Sequence, residues 1–179
     1  MLICDGRSAN KSTADFTSFY GAFAPVCFTL LGLWLIVVQT RHSEWRRNPV
    51  HRTRAHILAV NFALPGMMAL LALVDPADKA LWRSAFAALA VIAALLLGWV
   101  TVRETLRAQS HWLAVTATSV AACLYALVAV VAIAPGIVHD IGINLKPLQV
   151  EEILLSVLVF IAVNVAWYLM FDESDLRDA

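Results

Sequence analysis

Five stretches, 19–39, 57–74, 81–102, 112–134 and 153–171, are nearly free of charge and run 18–23 residues each. An α-helix rises about 1.5 Å per residue, so about 20 apolar residues cross a hydrocarbon layer of roughly 30 Å. Backbone amides in lipid must find their partners within the protein, which leaves helices or closed barrels. Barrel strands would alternate in polarity over about 10 residues, whereas VIAALLLGWV and LYALVAVVAIA are apolar on every face. The expected fold is therefore all-α, a polytopic integral membrane bundle of five transmembrane helices.

The remaining residues cannot build a second domain. They form a lead over 1–18, four connections and a short acidic tail over 172–179, none longer than 18 residues. One five-helix domain over 19–171 is expected. Helix-start signals agree with these bounds: Ser12 and Asp15 resemble a capping box before the first span, Asp75-Pro76 with Asp78 precedes the third, and Pro147 with Glu151 and Glu152 opens the fifth. The chain is 61% apolar with a mean hydropathy of +0.76, and its 13 Lys and Arg balance 13 Asp and Glu. This neutrality argues against a nucleic-acid partner.

Orientation follows from the cationic residues. The connection after the first span holds Arg41, Arg46, Arg47, Arg52 and Arg54, and Arg103 and Arg107 follow the third span. The positive-inside rule places both in the cytoplasm, with the N-terminus outside and the C-terminus cytoplasmic. Trp99, Trp112, Trp167 and Tyr168 would then line the cytoplasmic interface, and Tyr20 and Trp82 the outer one. A bacterial inner membrane or another plasma-type membrane is the expected location.

Candidate functional residues are few. No Asp, Glu, Lys, Arg or His is placed deep in a span, and Arg83 lies close enough to an end to snorkel outward. Buried proton-coupling groups, voltage-sensing arginine ladders and paired aspartates are thus not expected. No HExxH, GxSxG, TVGYG or GxxxxGK[ST] pattern occurs, so no metal or cofactor is expected, and no buried nucleophile with its base argues for an enzyme.

The polar residues that do fall inside the spans are Asn61, Ser156 and Asn164, with a Thr116, Ser119, Cys123 stripe on the fourth. Asn61 and Asn164 share a depth. Pro65 removes the amide that would bond the Asn61 carbonyl, making 61–66 a candidate hinge. A hydrogen bond between the two Asn, gluing spans two and five, competes with a pathway lining and is the more economical reading. Pro25, with Gly21 and Thr29 at four-residue spacing, marks a small-residue face expected to meet another helix closely, as do Ala90, Ala94 and Gly98 on the third span and Ala114, Thr118, Ala122 and Ala126 on the fourth.

Glu151 and Glu152 are candidates for an outer mouth. The five arginines from Arg41 to Arg54 are candidates for anionic lipid or anion contact, although topology alone accounts for them. The leading functional expectation is a small oligomeric channel or passive transporter of ions or small solutes. Its pathway would be lined by spans one, two and five through Pro25, Asn61, Pro65, Ser156 and Asn164. The competing class is a non-transporting accessory or assembly subunit that packs against partner helices. Expected partners are the bilayer, possible anionic lipids within it, and further copies or another membrane protein.

Overall fold

The computed structural model describes residues 3–41, 49–74, 79–106, 112–136 and 147–171. They form five helices: α1 (Ile3–Thr40), α2 (Pro49–Val74), α3 (Lys79–Leu106), α4 (Trp112–Ile133) and α5 (Pro147–Phe171). Each contains a segment long and apolar enough to span a membrane. Many large side chains point away from the bundle, among them Leu95, Phe160 and Val74, exposed by 69%, 68% and 72%. In water such a surface would aggregate; against acyl chains it is the stable arrangement. The protein is a helical membrane protein in contact with the bilayer.

α1 is 38 residues long, about 57 Å, so it outruns the hydrocarbon layer. It begins well before the expected first span, and Ser12 and Asp15 lie inside it rather than capping it. Pro147 does open α5. Glu151 and Glu152 fall beyond its first turn, too far along to answer the helix dipole. The 75–78 and 172–179 segments, with Arg46 and Arg47, lie outside the described residues.

Two hairpins dominate the packing, α1 with α2 and α3 with α4. α5 joins them by packing on α4 and α2, and α2 also meets α3. Specific contacts fix the directions. The Trp34 indole Nε1 donates to the Ala55 carbonyl at 3.0 Å, and Arg83 reaches the Ala132 carbonyl, so both hairpins are antiparallel. The Arg41 guanidinium donates to the Met170 carbonyl at 3.1 Å, which brings the ends of α1 and α5 together. Arg41 thus helps satisfy the exposed carbonyls of a helix terminus. The bundle has an arginine-rich end, holding Arg41 and Arg54, and an opposite end holding Arg83 and Glu151.

Alanines dominate the interior: Ala69, Ala72, Ala90, Ala93, Ala129 and Ala132 are buried around Tyr20, Phe86 and Tyr125. Small side chains allow close backbone approach, which matters in lipid because apolar area alone gives no preference for a helix over an acyl chain. The Ala90 and Ala94 face of α3 does pack on this core. The expected close-packing face of α1 does not. Gly21, Pro25 and Thr29 are exposed, and a Cβ at Gly21 would meet nothing within 4 Å. α1 instead buries Phe16, Tyr20, Ala24, Cys27 and Trp34. A four-residue spacing marks a stripe but does not say which stripe faces inward. Tyr20, expected in the outer aromatic belt, is likewise fully buried, with its ring edge-on to Phe86 at 6.0 Å.

α1 and α2 meet closely at Gly66. A Cβ there would lie 3.1 Å from Cys27 Cβ and 3.2 Å from the Phe28 ring. Gly66→Leu is therefore expected to lower stability by about 1–3 kcal/mol through overpacking. Gly66→Ala should cost less, since alanine regains about 1 kcal/mol of helix propensity. Unfolding in detergent checks both, and a Leu variant as stable as the parent would refute the contact.

Candidate functional site

Between α2, α4 and α5, in the arginine-rich half of the bundle, lies a groove of about 420 Å³. That volume is in the range of small-molecule sites, roughly 300–1,000 Å³. Ile57 and Leu58 from α2, Ala117 and Ala121 from α4, and Leu158, Ile161 and Val165 from α5 make it largely apolar. Four polar side chains, Asn61, Thr116, Thr118 and Asn164, and one charged side chain, Arg54, also line it. Phe160 and Tyr168, both turned outward from the bundle, stand at its rim, so it opens sideways toward lipid.

The residues singled out from sequence divide sharply here. Asn61 and Asn164 reach the same groove, but the hydrogen bond expected to join them is not made. Asn164 Nδ2 donates to the Phe160 carbonyl of its own helix at 2.7 Å, and Asn61 Oδ1, on a residue 6% exposed, has no partner. The Asn164 amide instead donates one turn back along its own helix. Pro65 is buried, and α2 continues through it as one helix. Because proline has no N–H, the Asn61 carbonyl also lacks its ordinary helical donor.

Pro25 and Ser156 are exposed elsewhere on the surface and do not join this groove. Ser156 donates to the Glu152 carbonyl at 2.8 Å, and Thr29 to the Pro25 carbonyl at 2.7 Å. The groove is walled by α2, α4 and α5, whereas the expected pathway was to be walled by spans one, two and five. α1 is excluded because its own buried face is taken up by α2 and the aromatic core.

Arg54 is the residue that sequence reasoning misplaced. It reads as part of a loop, yet α2 starts at Pro49, so Arg52 and Arg54 are helical. Arg52 is exposed, whereas Arg54 is 8% exposed and its Nε has no hydrogen-bond partner. The signal available was Pro49, which suits a first helical position and moves the helix start back toward the arginines. Among the described residues no carboxylate pairs with it, and a withdrawn cation is costly near lipid unless an anion completes it.

At the opposite end Glu151, a candidate for an outer mouth, is 1% exposed and faces the interior of the bundle; Glu152 is half-buried. Glu151 Oε2 and the Tyr20 hydroxyl have no hydrogen-bond partners. Arg83 and Glu152 are the charges within electrostatic reach of Glu151, and Tyr20 is within reach of both carboxylates. Arg83 does not simply snorkel outward. Its Nε and Nη2 donate to the Ala132 carbonyl at 3.1 and 3.0 Å, and Nη2 lies 3.5 Å from the Ile133 carbonyl. Arg54 and Glu151 are thus buried in helices that begin before the expected spans 57–74 and 153–171, each near a helix end.

Among the described residues no three His, Cys, Asp or Glu side chains converge as a metal site would require. The groove accordingly offers one cation, amide and hydroxyl groups, and an apolar wall: it can bind and orient a ligand, and it holds no nucleophile with a base. No protein-family model, curated protein or solved structure matches the chain.

Proposed function

We propose that this protein is a small passive transporter whose ligand site is the groove between α2, α4 and α5, approached sideways from the bilayer. One observation carries the reading. Arg54 and Asn61, both more than nine-tenths buried, each present a polar atom without a partner in a cavity of about 420 Å³. An orphaned buried polar group typically costs about 1–3 kcal/mol, a cost that a bound ligand offsets. The sideways opening favours a ligand that partitions into lipid over a hydrated ion. In this reading the arginine-rich end faces the cytoplasm of a plasma-type membrane such as a bacterial inner membrane.

Purified full-length protein in liposomes tests the proposal: translocation of amphiphilic or small polar probes should exceed that of protein-free vesicles. No flux of any probe would refute it. Such a result would favour the second reading, an accessory subunit or oligomer built through α1. That reading is supported by the exposed Gly21, Pro25 and Gly32, where added Cβ atoms at both glycines would meet nothing within 4 Å. Small residues of this kind let a helix from another chain approach closely.

A further inference from the structure

We infer that the groove holds one acyl chain of an anionic phospholipid from the arginine-rich leaflet, with the lipid phosphate paired to the Arg54 guanidinium. This rests on the groove being the ligand site proposed above, and it names the ligand class.

Length is the first argument. Along α5 the groove runs from Leu169 to Leu158, eleven residues or about 16 Å. That is half of the roughly 30 Å hydrocarbon core, the reach of a chain from a single leaflet. It starts at the bundle end that carries Arg54 and stops near the middle of α5.

Depth is the second. Arg54 lies three residues inside the span that begins at His51, about 5 Å along the axis. A guanidinium at that level is placed for a headgroup phosphate while the groove below it takes the chain. Guanidinium groups bind phosphate oxygens through two parallel N–H donors, and the unpartnered Nε is one member of such a pair.

Charge is the third. Among the described residues no Asp or Glu lines the groove. The complement to a lone buried cation with an apolar wall is a net anion on a hydrocarbon chain. Asn61 lies seven residues deeper, about 10 Å below Arg54, and takes no part in headgroup recognition.

Competition among lipids tests this. Full-length protein in nonionic detergent is mixed with equal amounts of phosphatidylglycerol, phosphatidylcholine and diacylglycerol, and retained lipid is read by native mass spectrometry. Phosphatidylglycerol should be retained roughly tenfold over the other two, the ratio expected for one charge-assisted contact. Inorganic phosphate should not displace it, because the chain fills the groove. Arg54→Gln should bring phosphatidylglycerol down to the level of diacylglycerol, Arg54→Lys should keep most of the preference, and Ala126→Trp, exposed on α4 outside the groove, should leave it unchanged. Equal retention of all three lipids by the parent protein, or an unaltered preference in Arg54→Gln, overturns the inference while leaving a groove that binds chains. Retention unchanged by Ala117→Trp, which fills the groove, overturns the ligand site itself.

Discussion

Arg83→Leu is expected to lower the unfolding free energy by about 1–3 kcal/mol, because it removes the donors that satisfy a carbonyl at the end of α4. α4 ends at Ile133, just before Pro135, and its last carbonyls have no intrahelical donors. Arg83, reaching across from α3, supplies two of them to Ala132 at 3.1 and 3.0 Å. The same guanidinium is the positive charge within reach of Glu151, which is 1% exposed. Arg83→Lys should lose less, since it keeps the charge and gives up the planar fork. Combining Arg83→Leu with Glu151→Leu should recover part of the loss, because an apolar pair needs no compensation. Denaturation in detergent micelles reads the series. A double variant no more stable than Arg83→Leu would mean that the two residues are uncoupled, and an Arg83→Leu protein as stable as the parent would remove both roles.

For the groove, the substitution with the largest expected effect on transport is Ala117→Trp. Ala117 lines the cavity from α4 and is half-buried, so an indole there can enter the space without displacing a core side chain. Transport by reconstituted protein should fall by about tenfold or more, corresponding to at least ~1.4 kcal/mol of lost binding. Stability should change little. The matched control is Ala126→Trp on the same helix: Ala126 is exposed and does not line the groove, so its indole goes into lipid and transport should persist. Equal loss in both variants would trace the effect to α4 as a whole, and no loss in either would exclude the groove from the pathway.

Several residues show why the candidate site was only partly legible beforehand. The depths of Asn61 and Asn164 follow from counting residues, and both do reach the groove. Their partners do not follow from counting. Asn164 bonds within its own helix, Asn61 has an unpartnered oxygen, and no rule of spacing separates those outcomes. Ser156, equally polar and equally within a span, turns outward and is satisfied by the Glu152 carbonyl. The contribution of α4 was missed because Thr116 reads as part of a polar stripe and Thr118 as part of a small-residue packing face, and neither pattern sets α4 beside α2 and α5.

What the amino-acid order determined by itself was the number of helices, their approximate spans and the medium that surrounds them. Transfer of a side chain from water to hydrocarbon is a property of each residue, so it accumulates along the chain and needs no knowledge of neighbours. Which face of each helix turns inward was decided by the tertiary structure alone. Acyl chains and a protein interior are about equally apolar, so hydrophobicity cannot tell the buried Tyr20 and Ala24 from the exposed Gly21 and Pro25 on the same turns of α1. Shape does, through the close fit at Gly66 and the alanine-lined contacts of α3 with α4, and that fit also withdraws Arg54 and Glu151 from solvent. The groove is where that fit leaves space, and such a space exists only once three helices have been brought together.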